Sequence, residues 1–287
     1  MNDFTSGSVE AFRTKWADPA SLKRYHFTRG APLNQVQFAF QNHWRVFRRY
    51  LPATAGRFLE VGCGRGSLGA FFAEAGYAVH LLDTAADALE AARVNFERDQ
   101  LKATYTVGDA LAMPYPDGMF NVVGSIGLLE HFEDIERPIA EQYRVLAKDG
   151  VLLVYVVPER KWCVQVLAIP VNALLKLGHA CWLALRGIKR DPIPKGTPLY
   201  RNAFPASDYL AILKKLGSTR MGSFGMFPLP LVSHSPSFPF SPMSPHLEGA
   251  LMHFWRFVLG VRRLLTKEPW ICAERTGLAF LVWAVKE

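Results

Sequence analysis

The segment Glu60-Val61-Gly62-Cys63-Gly64-Arg65-Gly66 sets an acid and three alternating glycines at the end of the apolar run RFLEV. Glycine lets a backbone come close to a ligand, and a loop that feeds a helix aims free amide groups at it. A second apolar run, AVHLLD, ends in Asp83, 21 residues after Gly62. An acid there can accept both hydroxyls of a ribose. Two ligand classes suit this arrangement: a dinucleotide, and a nucleoside carrying a cationic sulfonium. Counted from Gly62, the order E-x-G-x-G-x-G departs from the pyrophosphate pattern G-x-G-x-x-G, because Ser67 stands where the last glycine is required, although Gly64, Gly66 and Gly69 further on keep that spacing. The phosphate loop G-x-x-x-x-G-K-[ST] is absent as well. An acid at Glu60 repels a pyrophosphate and attracts an ammonium or sulfonium. Cys63, Cys163, Cys181 and Cys272 show neither CxxC nor CxxH spacing, so no metal site and no disulfide framework is expected.

These residues need a scaffold that brings strand ends together. Residues 1–52 read as a helical segment, in which FAFQNHWRVFRRYL sets Arg45, Arg48 and Arg49 opposite its apolar side. Pro52 and Gly56 stop it. Then strand and helix alternate: RFLEV, SLGAFFAEAG closed by Gly76, AVHLLD, TAADALEAARVNFERD, ATYTVGDA, MFNVVGSIG, EDIERPIAEQYRVL, a turn at Lys148-Asp149-Gly150, and VLLVYVVP. This predicts right-handed crossovers and a doubly wound, mainly parallel α/β sheet over residues 53–158. Ligands of such sheets lie beyond the carboxyl ends of the strands, where the residues above fall. Residues 159–275 read as a helical insertion or lid, with a helix at 207–216 returning to the core. Residues 276–287 supply a last strand, expected to be antiparallel at the sheet edge.

Five motifs in order resemble the class I S-adenosylmethionine (SAM)-dependent methyltransferases, in the small-molecule branch that includes ubiquinone- and menaquinone-biosynthesis enzymes. They are LEVGCGRG, LLD, VGDALAMPYPDGMFNVV, GLLEHFED and VLAKDGVLLVYVVP, covering about residues 55–158. The resemblance implies a Rossmann-like sheet, SAM as cofactor and in-line transfer of its methyl group. It implies that Glu60, Gly62 and Gly64, with the small loop residue Cys63, surround the methionine part. Asp83, beside Thr84, would hold the ribose. Asp109 and the Ala110 backbone would hold the adenine edge, and the backbone from Ser125 and Ile126 to Gly127 would line the methionine amino group. Asn121 departs from the aspartate usual in the PDGxFD segment, at a position expected to support the strand.

SAM already carries an activated methyl, so the protein must mainly align an acceptor and exclude water. A hydroxyl, amine or acidic carbon also needs a base. Glu130 and His131 follow the fourth strand, and His131 has the near-neutral pKa suited to the task. Tyr25, His26 and Arg29 in the N-terminal YHFTRG, and Tyr200 and Arg201 with Asn202, are the expected acceptor-side residues.

Charge separates the two halves. Residues 1–150 carry 16 Lys/Arg against 18 Asp/Glu, whereas residues 151–287 carry 17 against 7. An acidic partner is implied: an anionic membrane, a phosphorylated substrate or nucleic acid. No RNA-binding module, basic aromatic repeat or NPPY-like motif supports nucleic acid. Residues 163–185 are apolar but interrupted by Gln165, Pro170, Asn172, Lys176 and His179. An interfacial helix or an acceptor-site lid is therefore expected rather than a span. Trp162 and Trp182, with Arg160, Lys161, Arg186, Lys189 and Arg190, suit an anionic headgroup layer. The second basic-apolar stretch, HFWRFVLGVRRLL, repeats the pattern. The first residues, MNDFTSGSVEAF, show no secretory signal, so the cytoplasm, free or peripheral to a membrane, is the expected location. The leading expectation is methylation of a small, lipophilic acceptor. A methyltransferase acting on nucleic acid or protein, and a non-catalytic SAM binder, stay open as alternatives.

Overall fold

Phe58 and Glu60 fall on one face of the first strand and Leu59 and Val61 on the other, and all four are buried. A strand covered on both faces belongs at the centre of a parallel sheet. In the computed structural model, which describes residues 25–187, 200–233 and 243–287, that is its place. Strand β1 (Arg57–Val61) pairs in parallel with β2 (Ala78–Asp83), which carries β3 (Ala103–Val107) at its outer side. On its other side β1 pairs with β4 (Phe120–Ile126), and β4 with β5 (Leu146–Val156), again in parallel. Three antiparallel strands complete the sheet: β6 (Met221–Met226), β7 (Ile271–Cys272) and β8 (Ala279–Val285). The order is β3-β2-β1-β4-β5-β8-β6-β7. The chain winds outward from β1 in one direction to β3 and in the other to β5. The crevice beyond β1 and β4 is thus the switch point at which such sheets bind ligands.

Helices α1 (Gln35–Phe47), α2 (Ser67–Glu74) and α3 (Ala86–Arg98) cover one face. Helix α4 (Glu136–Val145) covers the other. Helix α5 (Ile169–Leu185) follows a 3-10 turn at Val164–Ala168 and has no buried residue. Helix α6 (Ala206–Lys215) joins α4, and α7 (Pro245–Leu265) joins the α1 side. Asn34 starts α1, its Oδ1 accepting from the Val36 and Gln37 amides at 3.1 and 2.9 Å.

The expected strands and helices of 53–158 are all present, and the last strand is antiparallel on β5. Three details differ. β6 and β7 lie inside the range read as an insertion, so the sheet extends two strands further. Helix α4 begins at Glu136 rather than Glu133, because Asp134 Oδ1 accepts the Glu136 amide at 2.8 Å and forms a local turn first. At Lys148-Asp149-Gly150 the strand runs through the expected turn, with Asp149 at φ 60° and a register shift between Phe120 and Val122. The expected N-terminal helical segment up to residue 24, Lys189, Arg190 and part of both proline-rich stretches lie outside the described residues.

Candidate functional site

The glycine loop turns sharply at the end of β1. Gly62, Gly64 and Gly66 have φ of 65°, 51° and 68°, a region that disfavours side chains. A Cβ on Gly62 would lie 2.7 Å from Leu128 Cδ1, so any other residue there would also have to displace that side chain. Asp83 fixes this shape from β2. Its Oδ2 accepts the Gly64 amide and its Oδ1 the Ala85 amide, both at 2.9 Å. Burial raises the Asp83 pKa, against the opposing pull of the Ala85, Gly64 and Thr84 amides. Thr84 follows, half-buried. Cys63 is a buried free thiol whose pKa burial pushes well up, which suits a loop filler and not a nucleophile.

Glu60 lies beneath helix α2, its Oε2 accepting the Gly69 amide at 2.7 Å. It thereby satisfies one of the free amides of the first turn. Burial pushes its pKa up to about 8, opposed by the Gly69 and Leu68 amides. The folded protein therefore holds this proton more tightly than the unfolded chain. The resulting stability is complete below the ordinary carboxylate pKa and is lost as pH rises through about 8. Glu60→Gln keeps the shape and the acceptor but removes the titration. Melts of ligand-free protein from about pH 5 to 9 should show a smaller fall in Tm for this variant. An unchanged slope would contradict the assignment.

After β4 the chain forms a short turn, Leu129–His131, whose side chains are buried. Burial raises the Glu130 pKa to about 7, with the Arg201 charge pulling it down. Glu130 Oε2 has no hydrogen-bond partner. His131 Nδ1 lies 2.7 Å from the Tyr200 carbonyl oxygen. A carbonyl only accepts, so Nδ1 carries the proton and Nε2 is the basic nitrogen of the neutral ring. Asn202 staples this turn from 70 residues away. Its Nδ2 donates to the Leu129 and Phe132 carbonyls at 2.8 and 2.9 Å, and its amide to the Glu130 carbonyl at 2.7 Å. Tyr200, Arg201 and Asn202 are thus brought to Glu130 and His131.

The other expected residues take distinct places. The Ser125 hydroxyl turns away to Gln142 Oε1 at 3.3 Å, which leaves the backbone of 125–127. Gly127 there has φ 67°, and its amide donates to the Tyr155 carbonyl at 3.0 Å. Ile126 is half-buried at the strand end. Asp109 is exposed beyond β3, its Oδ1 accepting the Leu111 amide at 2.9 Å, and Ala110 beside it is buried. Tyr25 is buried under the Arg98 guanidinium, and the His26 amide donates to Ser67 Oγ at 3.2 Å at the start of α2. Arg29 is engaged at the surface by Glu74 at 2.9 Å and by the Asp99 carbonyl at 2.7 Å, so it tethers this strap to α2 and α3. Asn121 Oδ1 accepts the Arg57 amide at 2.8 Å and links β4 to β1.

Sequence reasoning missed a buried pair, His43 and Tyr155, with Nε2 and Oη 3.1 Å apart. Burial lowers the His43 pKa to about 3, so the ring is neutral. Its Nδ1 has no partner. Tyr155 is the penultimate residue of β5, and its pKa is raised by burial and then by the Glu130 charge. Tyr155 pairs with Ile126 of β4 near the carboxyl ends of both strands. His43 sits inside a helical apolar pattern and Tyr155 inside a strand, so neither stood out.

Comparison with known proteins places this geometry. Residues 59–154 match the family model described as a methyltransferase domain. Demethylmenaquinone methyltransferase of Thermus thermophilus is 35% identical over 104 residues, 36% of this chain and 47% of that protein. Ajmaline N-methyltransferase of Rauvolfia serpentina is 47% identical over 53 residues, 18% of each chain. The chain thus spans less than half the length of these curated relatives. In fold it is similar to phosphoethanolamine N-methyltransferase 2 of Haemonchus contortus, solved with S-adenosyl-L-methionine. The TM-score is 0.56 at 16% identity, covering 97% of this chain and 60% of that one.

Proposed function

We propose that this chain, whose residues 59–154 match a methyltransferase domain, is a class I SAM-dependent methyltransferase and methylates a small, lipophilic acceptor. The observation that carries the reading is the E-x-G-x-G-x-G loop at the β1/β4 switch point, bent by three glycines with positive φ and tied to Asp83. These residues fit SAM. The three positive-φ glycines let the loop backbone approach a ligand closely, and Asp83 and Asp109 lie at strand ends where acids suit a ribose and an adenine edge. Asp83 would accept the ribose hydroxyls, Asp109 and Ala110 would flank the adenine, and the backbone at Gly62, Gly64 and 125–127 would line the methionine part. When bound, SAM supplies an electrophilic methyl group. The strap at Tyr25 and His26, packed on the start of α2, excludes water from that end. At the other end Glu130 and His131 would take the acceptor proton. The neutral His43–Tyr155 pair offers the acceptor a polar contact in apolar surroundings.

The lipophilic acceptor is supported by the Thermus relative, whose name denotes a quinone substrate. The test is a panel assay with methyl-labelled SAM, using quinols, phenols and alkaloid amines against tRNA and protein. Label should enter solvent-extractable product. Label confined to precipitated polymer would overturn the small-molecule reading.

A further inference from the structure

Helix α5 is built inside out. Asn172 in the helix, and Gln165 before it, face the protein. Gln165, in the turn leading into it, donates through Nε2 to the Leu231 carbonyl and accepts the Leu231 amide, both at 2.8 Å. Asn172 Oδ1 accepts the Ser233 amide at 2.8 Å. Leu174, Leu177 and Leu185, with Leu167 in the preceding turn, face outward at between 62% and 89% exposure, and Trp162 is 80% exposed, whereas Leu175 packs against the core. Helix α7 has two opposed apolar stripes. Met252, Trp255 and Leu259 are buried, whereas Phe254, Phe257, Val261, Leu264 and Leu265 are exposed. One framework holds both helices. The segment that binds α5 also bonds Gln35, whose Oε1 accepts the Val232 amide at 2.9 Å. The Gln35 amide in turn donates to Glu248 of α7 at 2.9 Å.

We propose that the exposed faces of α5 and α7 dock the protein on the surface of an anionic lipid bilayer. The proposal does not rest on methyl transfer. Charge selects the occupant. From Arg160 to Gly187 there is no Asp or Glu, and Lys161, Lys176 and Arg186 are exposed. Arg256 and Arg263 are exposed beside the α7 stripe. Among the described residues none of these five cations pairs with a carboxylate. A two-fold contact between copies of this face would oppose like charges with no acid between them. An anionic headgroup layer takes up the same cations while the leucines enter the acyl boundary and Trp162 and Trp182 lie at its level.

By length and composition alone, Val164–Leu185 is long enough to cross a membrane. Its attachments oppose crossing. The Val164 amide is held by the Thr276 carbonyl at 2.9 Å, and the chain is back at His131 by Tyr200. A spanning helix would force the return sequence, with Lys189, Arg190, Asp191 and three prolines, through hydrocarbon.

Flotation of the full chain with vesicles of phosphatidylcholine, alone or with added phosphatidylglycerol, tests this. The protein should float with the anionic vesicles, less so as salt rises, and wash off in alkaline carbonate. Lys176→Gln should weaken binding about fivefold. The combined Leu174→Ser, Leu177→Ser, Phe257→Ser and Leu264→Ser variant should lose about tenfold or more while its melt is unchanged. Wild-type protein left unbound on anionic vesicles at low salt would overturn the proposal. So would equal flotation of the four-site variant. Resistance to carbonate would replace docking by a span, and a dimer abolished by the same four substitutions would give the face to a second copy.

Discussion

Replacing Asp83 with alanine is expected to weaken SAM binding by about ten- to a hundredfold, the scale of lost hydrogen bonds to a charged group. Two losses combine. The ribose hydroxyls lose their acceptor, and the Gly64 amide loses the Oδ2 that holds the loop in its left-handed bend. Asp83→Asn separates them in part. It can keep an acceptor for the Ala85 amide, but its NH2 meets the Gly64 N–H, donor against donor. Its affinity should fall between wild type and alanine. Calorimetric titration measures both, with melts to show that each variant folds. Unchanged affinity in Asp83→Ala would remove Asp83 from the ribose site.

Replacing Glu130 with glutamine is expected to lower kcat by about a hundred- to ten-thousandfold, the range for a lost general base. With its pKa raised to about 7 by burial, Glu130 is protonated and idle below that pH. Wild-type kcat should therefore rise with pH through about 7 and level off above it, whereas the variant should be flat. His131→Gln is the companion. If His131 Nε2 takes the proton instead, that variant loses the activity and Glu130→Gln keeps both rate and pH limb. The KM for SAM should change little in either case, since the proposed cofactor site is formed by Asp83 and the glycine loop.

The parallel half of the sheet was legible because its signals are local. Apolar runs end in glycines or acids, and helices separate β1, β2 and β3 and again β4 and β5, with a loop joining β3 to β4. The glycine loop and Asp83 were legible for the same reason: strand, turn and helix follow one another directly in sequence, and Asp83 closes the next strand. β6 was not, because Met-Gly-Ser-Phe-Gly-Met carries two glycines and little β preference, and its pairing is decided by β8 nearly sixty residues later. Asn202 was read as an acceptor-side residue, but the structure gives it the work of holding the Leu129–His131 turn, a long-range contact that no spacing announces. Glu60 shows the limit from the other side. Its position in the motif was plain, but its bond to the Gly69 amide depends on which face of β1 lies under α2. The inside-out packing of α5 needed the polar partners at 231–233, since sequence alone gave only an apolar segment with polar interruptions.

The most direct test of the central claim is calorimetric titration of the ligand-free full chain with SAM, and in parallel with NAD. A methyl-donor site predicts saturable heat for one SAM per chain at micromolar concentrations and none for NAD. No heat at high micromolar SAM, or saturation by NAD instead, would contradict the reading of the glycine loop on which the proposed function stands.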